Sequence, residues 1–139
     1  MIQTPSPFCA KMIMSTAFRF VWMGSGLLHV SPRPNTFVIN IGDTFMAQTN
    51  KRYKSCMHRA VVSSTTTRKT MVYFVSPEMD KTVRPPEELV DAEHPRAYPD
   101  FTWGMLKEFT RKHHTPDTQT LTAFVEWLKK KKEKESGNE

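Results

Sequence analysis

The chain has 139 residues, 38% hydrophobic and 24% charged, which is enough for one compact domain and too few for two of ordinary size. Much of its formal charge of +6 lies in Lys129, Lys130, Lys131 and Lys132, followed by Glu133 and Glu135, the pattern of a solvated helix end and not of a nucleic-acid surface. Two cysteines and nine methionines argue against a disulfide scaffold, and no apolar run approaches the roughly 20 residues of a membrane span, so a cytoplasmic, soluble protein is expected.

In chain order, residues 1–30 form an atypical segment. No Asp or Glu precedes Asp43, which mimics a transit peptide, but basic residues are sparse and Arg19 interrupts the most apolar part, so neither a transit peptide nor a signal sequence is expected. Phe18-Arg19-Phe20-Val21-Trp22, then Gly24-Ser25-Gly26, then residues 27–30 read as a hairpin at 18–30. Residues 36–41 alternate and are β-branched, which predicts a strand stopped by the turn signal Gly42-Asp43. Residues 52–62 and 70–76 read as two more strands around the polar loop Ser63-Ser64-Thr65-Thr66-Thr67. Consecutive antiparallel strands of this kind suggest a sandwich or barrel.

The last third changes period. After Pro85-Pro86 comes a loop rich in proline and acids, and Asp100-Phe101-Thr102 opens a helix in which Trp103, Leu106 and Phe109 or Thr110 share a face. A second helix follows Pro116-Asp117, with Leu121, Phe124, Val125 and Leu128 spaced as one apolar stripe. Both are expected to pack on the sheet, ahead of a charged tail at 129–139. The fold class expected is mainly β with C-terminal α-helices.

Of the five histidines, His29 has no acidic neighbour, His94 lies in the proline-rich loop, and His113-His114 sit beside basic residues near a helix end. His58 is embedded in a strand among Cys56, Met57, Ala60, Val61 and Val62. Taken alone, a histidine there is a satisfied core residue more often than a ligand.

The surrounding string changes that balance. Asn40-Ile41-Gly42-Asp43-Thr44-Phe45-Met46-Ala47, Asn50, Arg52-Tyr53-Lys54-Ser55-Cys56 and His58-Arg59-Ala60-Val61-Val62 resemble the distal metal-histidine region of plant Fe(II)- and 2-oxoglutarate-dependent dioxygenases. The Arg-Tyr-Lys-Ser-Cys spelling is closest to gibberellin 20-oxidases. The resemblance continues through Arg68-Lys69-Thr70, Val83-Arg84-Pro85-Pro86-Glu87-Glu88-Leu89 and Tyr98-Pro99-Asp100-Phe101-Thr102-Trp103 to Trp127-Leu128, covering residues 31–128. It implies the C-terminal part of such a domain, with a partial double-stranded β-helix (jelly-roll) core.

The resemblance also implies site residues. His58 matches the second histidine of a facial triad of two histidines and one carboxylate that leaves iron positions open. Arg68 and Thr70 match the pair that holds the distal carboxylate of 2-oxoglutarate, usually spelt Arg-x-Ser, so Thr70 keeps the hydroxyl and adds a methyl. The cofactors implied are Fe(II) and 2-oxoglutarate, with ascorbate as a further reductant. The implied substrate of the complete enzyme is a gibberellin precursor oxidised at carbon 20; no nucleic-acid or membrane partner is expected, and substrate-contacting residues are not legible.

The family's His-x-Asp motif would, by spacing, fall where Ile2, Gln3 and Thr4 stand, and His29 has no carboxylate two residues on. A charge-assisted bond to Arg68 contributes roughly 1.5–3 kcal/mol, while about −4 kcal/mol is still only millimolar affinity. The chain is therefore expected to be inactive by itself. Two alternatives follow: a non-catalytic interaction protein or truncated pseudoenzyme that pairs its open sheet edge with a full-length relative, and a related dioxygenase acting on another small molecule.

Overall fold

The computed structural model describes residues 10–14, 18–22, 26–30, 36–60, 71–113 and 119–136. Its elements are β1 (Ala10–Met14), β2 (Phe18–Trp22), β3 (Gly26–Val30), β4 (Val38–Ile41), α1 (Asp43–Gln48), β5 (His58–Ala60), β6 (Met71–Phe74), β7 (Thr82–Val83), a 3-10 turn (Glu87–Leu89), β8 (Phe101–Thr102), α2 (Trp103–His113) and α3 (Thr120–Ser136). Strands followed by C-terminal helices are what the sequence pattern predicts.

The chain divides into two compact units. The described residues up to Met46 and those from Tyr53 to Ser76 make the first; Ala47–Arg52 and those from Pro77 onward make the second. In the first unit every strand pairing is antiparallel. One sheet has the order β4-β1-β6 and the other β3-β2-β5. Met12 lies opposite Ile39 on one side and Tyr73 on the other. In the second sheet Phe20 lies opposite Leu28 and His58. The expected hairpin is present as the β2–β3 pair.

Asp43 does not end a strand in a simple turn; it begins α1. The Gly42 carbonyl accepts the Met46 N–H at 3.0 Å, which makes Gly42 the residue that starts the helix and puts the Asp43 carboxylate in its first turn, where the helix dipole favours negative charge. The helix ends where Asn50 (φ 48°) and Lys51 (φ 65°) turn left-handed. That reversal explains why the strand expected over 52–62 is, among the described residues, confined to His58–Ala60. After two left-handed residues Arg52, Tyr53 and Lys54 are exposed and lie outside the strands.

The second unit has its own core. Thr82 and Val83 pair with Thr102 and Phe101, so Phe101-Thr102 is a strand and not the first turn of the helix, which begins at Trp103. The Lys81 carbonyl then accepts the Trp103 N–H at 3.1 Å, and the Met79 carbonyl accepts the Gly104 N–H at 2.7 Å. This ribbon gives α2 and α3 a surface. They pack on each other, and α2 also packs on β8. Val83, Phe101, Leu106, Phe109, Leu121, Phe124 and Leu128 are buried, with Phe124 fully so.

The predicted stripe on α3 is the one that is buried, because Leu121, Phe124 and Leu128 recur at helical spacing. The ring of Phe124 meets Phe101 edge-on at 5.1 Å and lies 5.4 Å from Phe109. The lysines at 129–132 continue α3 as an exposed helix end. Among the described residues no helix is long and apolar enough to cross a membrane.

Candidate functional site

The site is built on two strands of the first unit, one from each sheet. Along β4 the expected apolar-in alternation is reversed at one position: Asn40 is 5% exposed, while Ile39 beside it is 66% exposed. A buried amide needs partners, since an unpaired one costs roughly 1–3 kcal/mol. Asn40 finds them on the segment that leads into β5. Its Nδ2 lies 3.4 Å from His58 Nδ1, and its Oδ1 lies 3.5 Å from Cys56 Sγ.

His58 Nδ1 has a second, shorter contact, 3.2 Å from the carbonyl oxygen of Cys56. A carbonyl only accepts. The contact therefore requires the proton on Nδ1, and that tautomer carries its lone pair on Nε2. An imidazole whose Nδ1–H is donated to a backbone carbonyl is the arrangement usual for a metal-ligating histidine. His58 is half-buried.

Cys56 shares the site without the makings of a reactive thiol. Burial pushes it above a thiol's usual range, partly offset by a backbone hydrogen bond, so the neutral form is favoured. Nearby, the Ser55 N–H points at Met46 Sδ at 3.3 Å, and Phe45 stacks on Tyr53 with ring centres 5.5 Å apart. These contacts tie the end of α1 to the segment that delivers Cys56 and His58.

Arg68 and Thr70, the residues expected to hold 2-oxoglutarate, lie outside the described residues. His114 does too. His94 Nδ1 sits 3.0 Å from Asp91 Oδ1 in an exposed turn, whose shape is set by the His94 N–H donated to the same oxygen at 2.6 Å. Those bonds hold the Asp91 carboxyl below its usual range, the backbone N–H first among them. His113 stacks on Phe109, ring centres 4.8 Å apart. Among the described residues no group of three His, Cys, Asp or Glu side chains could hold a metal ion.

The second unit carries an open groove of about 460 Å³ lined by Arg84, Pro85, Pro86, Glu87, Glu88, Val90 and Arg96. Arg96 is already ion-paired with Asp100 and donates from Nε to the Tyr98 carbonyl at 3.0 Å. The groove contains none of the residues expected at the site.

In the sequence Asn40 stands out only as part of the string Asn40-Ile41-Gly42-Asp43. Its signal was present, because an amide in the middle of the β-branched run 36–41 must be either exposed or paired.

Residues 13–77 match the 2OG-Fe(II) oxygenase superfamily. The chain is 56% identical to gibberellin 20 oxidase 1 of Oryza sativa subsp. japonica over 108 residues, 78% of this chain and 29% of that protein. It is 59% identical to gibberellin 20 oxidase 1-A of Triticum aestivum over 99 residues, 71% of this chain and 27% of that protein. A crystal structure of a dioxygenase for auxin oxidation in rice superposes with a TM-score of 0.69 at 26% identity, over 76% of this chain and 37% of that one. The chain thus spans less than a third of the length of these curated relatives.

Proposed function

We propose that this chain, whose residues 13–77 match the 2OG-Fe(II) oxygenase superfamily, forms the C-terminal, jelly-roll part of a gibberellin 20-oxidase-type dioxygenase. The observation that carries this is the 56% identity to a gibberellin 20 oxidase over 78% of the chain. Identity to the auxin-oxidising dioxygenase is 26%, which favours a gibberellin precursor over a different small acid as substrate.

The residues present fit the group that the family implies. His58 is held with Nδ1–H on the Cys56 carbonyl, so Nε2 is the nitrogen with a lone pair for iron. Bound Fe(II) supplies the centre at which oxidation of the substrate is coupled to decarboxylation of 2-oxoglutarate. Arg68 and Thr70 take the distal carboxylate of 2-oxoglutarate, a role that rests on their match to the family's Arg-x-Ser pair. The remaining ligands, a histidine and a carboxylate, come in this reading from a preceding segment, and one neutral imidazole alone is a weak Fe(II) site.

The test is a chimera in which the preceding residues of the rice gibberellin 20 oxidase are joined to this chain. With Fe(II), 2-oxoglutarate and a gibberellin precursor it is expected to consume 2-oxoglutarate, and to lose that activity with His58→Ala. A folded chimera that consumes no 2-oxoglutarate would sink the reading.

A non-catalytic association role has one observation in its favour. Ile39 and Tyr73 occupy one row of the β4-β1-β6 sheet and are 66% and 67% exposed, and exposed apolar rows of this kind promote pairing with another surface.

A further inference from the structure

Asn40 does more than satisfy itself. It is the described residue that reaches from the β4-β1-β6 sheet to the histidine of the β3-β2-β5 sheet, and it does so at a ring nitrogen. Three groups converge on that point: the Asn40 amide, the Cys56 carbonyl and the Cys56 thiol. The carbonyl settles where the proton lies, since it accepts from Nδ1 at 3.2 Å. With the proton there, an amide NH₂ facing Nδ1 at 3.4 Å would oppose donor to donor. Turning the amide end for end, an exchange of two atoms of the same shape, places Oδ1 against Nδ1–H and Nδ2 against the thiol sulfur. Every partner is then matched.

Resting on the dioxygenase reading, we propose that Asn40 is a positioning residue. Its side-chain oxygen shares the Nδ1–H of His58 with the Cys56 carbonyl and so fixes the imidazole in the tautomer that presents Nε2 to iron. The chemistry favours an amide here. A carboxylate would accept the same proton but add a negative charge behind a ligand of a 2+ ion, raising the donor strength of the ring. An alkyl side chain would leave the carbonyl of Cys56, two residues away on the same segment, as the acceptor by itself. The amide holds the ring from the other sheet with no net charge, so the ring's orientation follows both sheets rather than the local strand alone.

The experiment reads the tautomer in the full chain without metal. Long-range proton–nitrogen correlation spectra of ¹⁵N-labelled protein report which ring nitrogen of His58 carries hydrogen, with its signals identified by their loss in His58→Gln. The wild-type chain is expected to hold His58 predominantly as Nδ1–H. Asn40→Leu is expected to shift the ratio toward Nε2–H by about two- to tenfold, the worth of one neutral hydrogen bond. Asn40→Asp, which keeps the acceptor, is expected to retain the wild-type form.

A wild-type His58 found as Nε2–H, or a folded Asn40→Leu chain with the wild-type ratio, overturns the proposal. Should Asn40→Leu not fold, the wild-type and Asn40→Asp spectra decide, because an Asp variant less populated in Nδ1–H than wild type also overturns it. The readout involves neither metal nor turnover. An inactive chimera therefore removes the dioxygenase reading without touching this result, and an unchanged tautomer removes the positioning role alone.

Discussion

The side-chain oxygen of Asn50 accepts the backbone N–H of Ala97 at 2.8 Å, a contact between residues 47 apart in sequence. The other end of the same amide points at three carbonyls of the intervening loop, those of Leu89 at 2.9 Å, His94 at 3.3 Å and Pro95 at 3.4 Å. One side chain thus takes over backbone pairing that a proline-rich segment cannot make with itself, since residues without an N–H leave carbonyls in excess. The same residue is left-handed at φ 48°, a conformation asparagine tolerates better than most. Lys51, next to it, places its Nζ 5.0 Å from the centre of the Tyr98 ring, adding a cation–π contact to the same loop.

Asn50→Ala is therefore expected to destabilise the second unit by about 2–3 kcal/mol, combining a lost half-buried acceptor with a left-handed alanine. Asn50→Asp should be no better. It keeps an oxygen for Ala97 but turns a carboxylate toward three carbonyl oxygens. Urea unfolding midpoints of the two variants against wild type check this, and a midpoint unchanged in both removes Asn50 as the loop's anchor.

Gly104 permits the approach that seats α2 on the loop before it. A β-carbon built there would lie 2.8 Å from the Met79 carbonyl oxygen, the atom that accepts the Gly104 N–H at 2.7 Å. Backbone cannot yield as a flexible side chain can, so Gly104→Ala should cost about 1–3 kcal/mol as an overpacked contact, despite alanine's better helix propensity. Equal or raised thermal stability in that variant would show that the helix start shifts freely.

What was legible in the sequence follows from where periodicity is strong. The α3 stripe of Leu121, Phe124 and Leu128 and the β2–β3 hairpin were readable because each repeats one period over several residues. Helix α1 was not, because Gly42-Asp43 is a turn signal and a helix start in the same letters, and six residues are too few for a helical period to declare itself. Strand β8 was missed for a related reason. Phe101-Thr102 is only two residues long, and its pairing with Thr82-Val83 is non-local. His58 was legible through its string, whereas the role of Asn40 depends on a contact across 18 positions that no local pattern encodes.

Phe124 is the most enclosed side chain of the second unit, with rings of Phe101, Phe109 and Trp127 within 6.0 Å of its own. Phe124→Ala is expected to cost about 3–5 kcal/mol, the range for emptying a full aromatic site. Phe124→Leu, which fills most of the volume, should cost visibly less. Circular dichroism melting curves compare them, and near-equal losses for the two would mean the aromatic cluster collapses around either residue.

Cys56 gives the pH dependence of the candidate site. Its thiol is raised by burial, so the folded state prefers it protonated relative to the unfolded chain. The stability it contributes is fully present below the ordinary thiol value and is lost as pH rises through the higher folded value, which places the window on the alkaline side. At neutral pH the same preference slows attack on alkylating reagents, because the thiolate is the nucleophile. Iodoacetamide labelling of the tryptic peptide 55–59 should therefore be slower in the native chain than in the urea-unfolded chain. Across the alkaline range the stability of wild type should fall relative to Cys56→Ala, the subtraction removing the lysines and tyrosines that titrate in both. Parallel stability curves for the two proteins, with equal labelling rates in folded and unfolded chains, would mean that Cys56 sits in solvent and that the Asn40–Cys56–His58 cluster is open to water.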